Sequence, residues 1–458
     1  MQMRKQMKKA VMAATILLAI PLFAGSRSVN IVQTGAKAGL ARDNASAIQK
    51  AIDRVSIAGG GTVTVPAGEF LTGPIELKSG VELHLDMGAR LVGVADTAAY
   101  AKAHMTVKGK RSQFSSLIYA QGQKDIAITG LGTIDGQGGD SAFKTQKDPG
   151  GRPMLILMRD CKNVVIKDIR LENSAHWVQF YPGCEGLRIS GIKVRSHCNF
   201  NNDGIDIDSK DVVVTNCIFD CEDDAICLKS LSGNFCENVT ITNCIAASNC
   251  NAIKLGTSSA YGFRNITISN ITVRGASEDN IRHWSKKLKG ITKPITVLSG
   301  IAIENVDGGI CENINISNVS MRDVQTPIFI RLARREEATF PCGSYMKGIT
   351  ISGITAVSES FMSSSITGVP GMYPENIYLS DIDITAPGGG TEEMINIPVP
   401  EAEKEYPENR CLGQTLPASG LYMRHAKNIY LSNVRFHFRT PDARPLIITD
   451  DCFNIVQD

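Results

Sequence analysis

The sequence has few aromatic residues and almost no excess of charge of either sign. Phe, Trp and Tyr make up 6% of its 458 residues, and 48 Lys and Arg face 46 Asp and Glu for a net charge of +2. A near-neutral chain offers no electrostatic reason to bind nucleic acid or an anionic membrane. With 42 glycines and so few aromatics, the composition favours many short strands and turns over a large helical core.

Long apolar runs are missing beyond the amino terminus, so we expect no membrane anchor. A basic start at residues 4–9 precedes an apolar run over 11–23 and small residues at 24–26, which is the pattern of a secretory signal peptide. The run is too short to span a bilayer comfortably, and no Cys follows it to carry a lipid. We therefore predict a signal peptide at 1–26 and a secreted or periplasmic mature chain, 27–458.

The cysteines lack the close pairing with Cys or His that a structural zinc site needs. Their number, 13, is odd, so at least one thiol is unpaired, although an oxidising compartment permits disulfides. Cys198, Cys221 and Cys244 are 23 residues apart, as are Cys161 and Cys184. This spacing matches the repeat described next and favours stacked core thiols over bridges.

A short unit recurs through most of the chain. It starts with Asn, Gly or Asp and then alternates apolar and polar positions, as in NVTITNC and NITISNI. The units begin at Asp125, Asn163, Gly186, Asp211, Asn238, Asn265, Asn313, Gly348, Asn376 and Asn428. Period-two alternation indicates strands with one buried face. Such short units bury an apolar core only when they stack, which predicts an all-β, right-handed, single-stranded parallel β-helix. Leucine-rich repeats are excluded because their recurring Leu positions are missing.

Three segments outside or within the repeats carry further predictions. Residues 44–57 have helical spacing, and a helix there, started by Asp43 or Asn44, would cap the open end of the solenoid. Residues 387–417 are rich in Pro, Gly and Glu and predict a long surface loop. The sequons at Asn238, Asn265, Asn270, Asn315 and Asn318 fall inside the repeats, so we interpret them as ladder and turn residues. We expect one domain.

Aligning neighbouring coils brings carboxylates into one column. The segments NDGIDID, DDAICLK and CNAIKLG align on their apolar positions, which places Asp203, Asp224 and Asn251 in register, with Asp223 one residue before the strand. Neighbouring carboxylates repel each other, so at least one pKa is expected to rise. Glycoside hydrolysis uses one protonated carboxyl as the acid and one ionised carboxyl as the base. A calcium site or a solvated turn cluster is the alternative interpretation.

These motifs resemble glycoside hydrolase family 28, the polygalacturonase-like pectin hydrolases. NNDGIDIDS (201–209) is similar to the family's Asn-Thr-Asp motif with Asn202 in place of Thr, and EDDAICLKS (222–230) is similar to its Asp-Asp motif. The resemblance implies a β-helical inverting glycosidase acting on pectic or related glycans without a metal or cofactor. Asp223 would be the general acid, and Asp203 and Asp224 would activate water. Asn201 and Lys229 would support the site and contact the sugar.

Two departures from the family pattern point to a different sugar at the cleavage point. Asn251 stands where the family's Gly-His-Gly motif has His, and Ala302 and Glu304 stand for the Arg and Lys of Arg-Ile-Lys. Among replacement cations we favour Lys254, which follows Asn251 on the same strand. The other candidates are Arg282, Lys286, Lys287, Arg331, Arg334 and Arg335.

Four ring-bearing side chains are further candidates for substrate contact. His176 and Trp177, one coil before Asp203, would form a wall for a sugar ring, unless they belong to a buried aromatic stack. His283, beside Trp284, is a candidate for the missing His role.

Two rival functions stay open. A polysaccharide lyase on the same scaffold would use the Asp cluster to hold calcium. A non-catalytic glycan-binding β-helix would need no acid and base. For the hydrolase, the inserts at 278–299 and 387–417 favour exo action, because they would block one end of a groove. The expected partner is an oligosaccharide or polysaccharide substrate, with no nucleic acid.

Overall fold

The chain forms a long coil of parallel strands. The computed structural model describes residues 28–107, 113–144, 151–279, 281 and 297–458. The first nine strands are β1 (Ser28–Asn30), β2 (Gly61–Val65), β3 (Gly68–Thr72), β4 (Ile75–Glu76), β5 (Val81–Leu85), β6 (Ala89–Gly93), β7 (Ser116–Gln121), β8 (Lys124–Gly130) and β9 (Thr133–Asp135).

The remaining strands include the longest of the chain, Ile310–Leu332 and Leu421–Phe438. In chain order, the remaining strands are β10 (Met154–Arg159), β11 (Lys162–Lys167), β12 (Arg170–Glu172), β13 (Gln179–Ser190), β14 (Lys193–Ser196), β15 (Ile205–Thr215), β16 (Ile218–Cys221), β17 (Ile226–Ser230), β18 (Cys236–Ser248), β19 (Asn251–Ser259), β20 (Gly262–Gly275), β21 (Val297–Asn305), β22 (Ile310–Leu332), β23 (Tyr345–Ser358), β24 (Ser364–Thr367), β25 (Glu375–Ala386), β26 (Leu421–Phe438) and β27 (Ile447–Gln457).

Each strand pairs in parallel with the strand one coil away. The central ladder runs β15, β18, β20, β22, with Val212 beside Val239, Val239 beside Ile266, and Ile266 beside Ile314. The inward-facing members of this ladder are fully buried, while the alternate positions are exposed. The result is the predicted right-handed parallel β-helix with one apolar column inside.

The sequons are ladder residues, as predicted. Asn238, Asn265, Asn270 and Asn318 adopt φ values of 54°, 54°, 57° and 54°, a left-handed conformation that Asn tolerates better than most residues. The Asn265 amide donates to Asn238 at 3.1 Å, and the Asn318 amide donates to Asn270 at 3.2 Å. The side chains of these turn positions therefore bond along the solenoid from coil to coil.

The cysteines are free thiols, but only part of the predicted stacking is correct. Cys161 and Cys184 immediately precede the paired residues Lys162 and Glu185, so they lie beside each other on neighbouring coils. Cys244 stacks on Cys217, whereas Cys221 pairs with Ser248. The predicted column of Cys198, Cys221 and Cys244 is therefore wrong. Because the turns differ in length, residues that are equally spaced in the sequence do not take equivalent positions on successive coils.

A helix covers the amino-terminal end of the solenoid, as expected. This helix, α1 (Ala45–Ile57), buries Ile48, Ala51, Ile52 and Val55. Asp43 caps it by accepting from the backbone N–H of Ala45 at 2.8 Å. Its amide-bearing neighbour Asn44 is instead buried and bonded to the backbone around it. A second helix, α2 (Ser141–Lys144), and 3-10 turns at Ile31–Thr34, Thr97–Ala103, Glu392–Asn396 and Asn409–Leu412 complete the helical content of the described residues.

The segment 387–417 is more deeply anchored than a surface loop. Leu412 and Leu416 are buried against Phe329 and Tyr422. The amide of Asn409 donates to Leu298 O at 2.9 Å and to Thr326 Oγ1 at 3.0 Å. The segment therefore lies against the outside of the coil formed by β21 and β22, and we call it the 387–417 loop.

Some predictions fall outside the described residues. These concern the signal peptide at 1–26 and the side chains of Arg282, His283, Trp284, Lys286 and Lys287. Within the described ranges, no helix is both long and apolar enough to cross a membrane.

Candidate active site

The predicted column of polar residues is confirmed by the strand register. Ile205 pairs with Ile226, and Ile226 pairs with Ile253, so Asp203, Asp224 and Asn251 lie side by side two residues earlier on each coil. Backbone hydrogen bonds continue through this edge, from Gly204 N to Asp224 O at 2.8 Å and from Ala225 N to Asn251 O at 2.9 Å. The carboxylates are thus fixed by the backbone of adjacent coils.

A cleft of about 820 Å³ opens over this column. Asp203, Asp223 and Asp224 all line it, and each is at most 5% exposed. Carboxyl groups with so little water around them respond strongly to nearby charges. The neighbours of each carboxyl therefore decide its protonation state.

Asp224 is surrounded by groups that favour its ionised form. Lys254 Nζ lies 3.1 Å from Asp224 Oδ2, and the Asn251 side-chain amide and backbone N–H donate to Oδ1 at 2.8 and 3.1 Å. Burial alone would raise the pKa of Asp224, but the charges of Lys254 and Lys229 and these hydrogen bonds lower it to about 2. Asp224 is therefore a carboxylate across the physiological pH range.

Asp203 experiences the opposite balance. Burial raises the pKa of Asp203 well above its usual value, and the neighbouring carboxyls of Asp223 and Asp206 raise it further. Its nearest cation, Lys229, is 3.9 Å away and lies closer to Asp206, at 3.1 Å. Asp203 consequently releases its proton at higher pH than Asp224 does.

Asp223 is oriented from both sides. The Asn201 amide donates to Asp223 Oδ2 at 3.2 Å, and the backbone N–H of Asp224 donates to Oδ1 at 2.9 Å. Asn201 has a φ of 57° and accepts from Arg152 Nη2 at 3.2 Å. Asn202, which replaces the family Thr, is buried and bonds the backbone carbonyls of the preceding coil.

One wall of the cleft is aromatic and carries Lys229. Trp177 and Phe114 line the cleft and stack with ring centroids 5.5 Å apart, and Lys229 Nζ lies 4.4 Å from the Trp177 ring centroid. His176 is fully buried beside the same rings. The structure thus places His176 in the buried aromatic stack that is the alternative interpretation for this residue, whereas Trp177 lines the cleft.

Lys254 also differs from its predicted role. It is 2% exposed and is not among the described residues that line the cleft, so the structure places it behind Asp224 rather than at the cleft surface. It lies between Asp224 and Glu304, whose Oε2 is 3.6 Å from Lys254 Nζ and accepts from Thr257 Oγ1 at 3.0 Å. Burial raises the pKa of Glu304 to about 7 although Lys254 lowers it. Glu304 therefore faces Lys254 rather than the cleft.

The sequence did not indicate the opposite wall of the cleft. Tyr406 and Glu408 of the 387–417 loop line it, and Tyr406 is 54% exposed there. Arg335 lines it too, with Nε and Nη2 donating to the two oxygens of Asp307 at 2.7 and 2.6 Å. No spacing pattern links a loop more than 150 residues away to the Asp column, so nothing in the repeat could have revealed Tyr406.

Two other predicted cations lie elsewhere. Arg331 is fully buried and holds the backbone of the 387–417 loop at Glu401 and Ala402. Arg334 is exposed and donates to Pro370 O at 3.0 Å. Neither of them lines the cleft, whereas Arg335 does.

The donor set of the acidic cluster does not fit calcium. Within the described ranges, one group of potential metal ligands lies within 4.8 Å of one another, and it joins Asp223 and Asp224 to the Cys250 thiol. Calcium takes six to eight oxygen ligands, and a thiol is a poor substitute. The cluster therefore gives no support to the calcium-dependent alternative.

A β-helix with a cleft over paired carboxyls on adjacent coils defines a class of carbohydrate-active proteins. The chain matches "Glycosyl hydrolases family 28" over residues 58–404 and belongs to that family. It is 30% identical over 251 residues to an exo-poly-alpha-D-galacturonosidase of Dickeya chrysanthemi, covering 43% of this chain and 41% of the relative. It is 30% identical over 210 residues to an endo-polygalacturonase of Pectobacterium carotovorum subsp. carotovorum, covering 41% and 52%. These matches span about half the length of the curated relatives or less.

A solved structure confirms the fold over nearly the whole chain. The family 28 exopolygalacturonase of Yersinia enterocolitica superposes with a TM-score of 0.69 at 18% identity, covering 94% of this chain and 78% of that one. At this level of identity, the likeness concerns the fold alone.

Proposed function

We propose that the protein is an inverting glycosidase that cleaves O-glycosidic bonds in pectic or related plant cell-wall glycans. The observation that carries the proposal is the pair Asp203 and Asp224 on adjacent coils, with Asp223 beside them, at the floor of one cleft. The pKa of Asp203 is raised and that of Asp224 is lowered, so a carboxyl that favours its proton lies beside one that favours its charge. Family membership supports the same reaction class.

The reaction divides among the three carboxyls. Asp223 donates its proton to the glycosidic oxygen as the bond from that oxygen to the anomeric carbon breaks. Asp224, already ionised, takes a proton from a water molecule whose oxygen bonds the anomeric carbon from the opposite face, which inverts the configuration. Asp203 enters protonated and orients this water by hydrogen bonding. Solvent then returns a proton to Asp223 and removes one from Asp224.

We further propose exo action. Tyr406 and Glu408 of the 387–417 loop form one wall of the cleft, and buried Asn409 fixes the loop. A wall across a groove limits the number of sugar units that fit beyond the cleavage point. One relative is named an exo-poly-alpha-D-galacturonosidase, which agrees with this proposal.

The charge of the cleft favours a neutral or esterified sugar at the cleaved position. Among the described residues that line it, the only cations are Lys229 and Arg335, and each is ion-paired. The acidic lining residues are Asp203, Asp223, Asp224, Asp307, Glu336, Glu337 and Glu408. A free uronate would be repelled by this excess of negative charge.

A substrate panel tests the activity and the sugar together. Polygalacturonate, its methyl ester and rhamnogalacturonan oligosaccharides would be digested, with products resolved by chromatography and their anomeric form read by NMR. We expect saturated, inverted products that disappear in Asp223→Asn. Unsaturated, ultraviolet-absorbing ends would show a lyase instead. Binding to the panel without any cleavage would favour the glycan-binding alternative.

We also propose export with removal of residues 1–26. The basic start and apolar run of the amino terminus support this. Expression with and without these residues, followed by mass measurement of the protein in each cell fraction, tests it. The exported protein should begin near Arg27, and an intact amino terminus in the cytoplasm would contradict the proposal.

A further inference from the structure

Lys254 is a buried cation that contacts a cleft carboxyl without facing the cleft. Its Nζ lies 3.1 Å from Asp224 Oδ2 and 3.6 Å from Glu304 Oε2, and it donates to Tyr406 Oη at 3.3 Å. The side chain is 2% exposed. A buried cation is costly unless it is paired, so these contacts explain how Lys254 is retained in the interior.

We propose that Lys254 is a positioning residue for the hydrolytic reaction, holding Asp224 as the ionised, fixed base, and that Glu304 holds Lys254 in place. This inference rests on the proposed glycosidase function. It gives a use to Glu304, which stands where the family pattern has a cation. In place of a pair that binds substrate, this chain has a buried chain of charges behind the base, running from Glu304 through Lys254 to Asp224.

The contacts of Asp224 show why we assign Lys254 to positioning this carboxylate rather than to binding substrate. Asn251 Nδ2 donates to Asp224 Oδ1 while Lys254 Nζ contacts Oδ2, so each carboxylate oxygen has a partner of its own. The charge of Lys254 stabilises the ionised carboxyl, and the pKa of Asp224 is lowered to about 2 against the effect of burial. The amide of Asn251 alone supplies orientation but no charge.

Other charged or titratable groups also surround Asp224 and must be considered in a pH experiment. They are Asp203, Asp206, Asp223, Cys227, Lys229, Cys250, Glu304 and Tyr406. Lys229 is the other cation among them, and its closest carboxylate is Asp206. Comparison of variants that change one charge at a time distinguishes Lys254 from these groups.

The test measures kcat/KM against pH for wild type and Lys254→Met on a substrate from the panel. Loss of an opposite charge at this distance raises a carboxyl pKa by about 1–3 units, so activity should begin about 1 unit or more higher in pH. Misplacing or neutralising the base should also lower kcat by about 100-fold, with little change in KM. Lys254→Arg keeps the charge and should keep the acid limb near that of wild type.

Glu304→Gln is the matched control, because it alters the same buried contacts but leaves Lys254, and with a pKa of about 7 Glu304 is already neutral over the acid limb. Its acid limb should not move to higher pH. If Lys254→Met fails to fold, the double variant Lys254→Met/Glu304→Gln neutralises both partners and replaces it. An unshifted acid limb in a folded, active Lys254 variant overturns the inference while leaving the glycosidase proposal intact. Absence of cleavage by wild type across the panel overturns both.

Discussion

Asp203 and Asp224 occupy equivalent positions on adjacent coils but have opposite electrostatic surroundings. Asp224 meets two lysines and an amide, whereas Asp203 meets other carboxyls. Repetition of the backbone therefore does not repeat the chemistry, because the residues three positions further along each strand differ. Asp206 follows Asp203, and Cys227 follows Asp224, while Lys254 reaches Asp224 from the next coil.

This difference predicts unequal effects of two otherwise identical substitutions. Asp224→Asn removes the ionised base and should lower kcat by about 100-fold or more. Asp203→Asn imitates the neutral form that burial and the neighbouring carboxyls favour, and should cost about tenfold or less. Steady-state kinetics at pH 6, with thermal unfolding as the check on folding, measures both. Equal losses would mean that Asp203 also reacts as a carboxylate.

A second residue-level prediction concerns stability rather than activity. Asp208 is 1% exposed and accepts from the backbone N–H groups of Leu231 and Ser232 at 2.9 and 2.6 Å. Burial raises its pKa to about 7 although these donors lower it. A carboxyl with a raised folded-state pKa contributes stability below its ordinary pKa, and that contribution is lost as pH rises from about 4 to about 7.

Asp208→Asn should therefore become more stable relative to wild type as pH rises through that range. At roughly 1.4 kcal/mol per pKa unit, the difference has an upper limit of about 4 kcal/mol. Urea unfolding at pH 4.5 and pH 8 measures it, with Asp125→Asn, which changes an exposed aspartate of β8, as the matched control. A difference between Asp208→Asn and wild type that stays constant with pH, or falls, would refute the prediction.

At the residue scale, the sequence could predict which carboxyls meet but not what holds them. The apolar alignment placed Asp203, Asp224 and Asn251 correctly because strand register follows from the buried positions. The contacts of Lys254 depend on side-chain direction and on Tyr406, which arrives from a distant loop. Neither the side-chain direction nor the contact with Tyr406 follows from the period of the sequence repeat.

At the scale of strands and turns, glycine marks places where neighbouring coils come unusually close. Gly262 begins β20 with a φ of 105°, and a Cβ there would lie 1.9 Å from Ile310 O of the next coil. Gly35 also has a φ of 105°, but no atom lies within 4 Å of the position its Cβ would take. The two glycines therefore separate the effect of backbone strain from that of coil packing.

Gly262→Ala should destabilise the protein more than Gly35→Ala. The left-handed conformation costs about 1 kcal/mol at either site, while the clash adds about 1–3 kcal/mol at Gly262 alone. Thermal and urea unfolding of the two variants beside wild type measures the difference. Equal destabilisation would mean that moving the neighbouring coils apart at Gly262 costs no free energy. Backbone strain would then account for the effect of both substitutions.

The strand and turn level is where prediction from sequence succeeded most. Units such as NVTITNC carry both the alternation of a strand and the Asn that its turn requires, and β18, β20 and β22 confirm them. The cysteine column failed because Cys221, at the end of β16, lies beside Ser196 and Ser248 rather than beside Cys198 and Cys244. The spacing of residues in the sequence thus predicts the register of neighbouring strands, but it does not predict the register of residues separated by a turn.

At the scale of the whole molecule, the cleft depends on a segment that is remote in sequence. The 387–417 loop is held by Asn409 and by Arg331 and Arg424, which donate to the backbone at 399–402. Composition predicted a loop there, but its position against β21 and β22 follows from these buried contacts and not from any repeat. The loop connects the carboxyl-terminal coils to the site in the middle of the solenoid.

The position of the loop predicts how product size is controlled. Replacing residues 402–408 with a short Gly-Ser linker removes Tyr406 and Glu408 while leaving the buried anchor at Asn409. We expect such a variant to release a mixture of oligosaccharides, because the groove is opened beyond the cleavage point, whereas wild type releases one short product. Chromatography of early time points measures this.

Tyr406→Ala provides the control for that experiment, because it keeps the loop backbone in place. It should weaken substrate binding by removing a half-exposed ring from the wall, with a rise in KM of about tenfold for the loss of one stacking contact of 1–2 kcal/mol. Its product should stay the same length as that of wild type. If the linker variant folds and still releases one short product, the wall does not set the mode of cleavage, and the closed end of the groove must lie elsewhere along the coil.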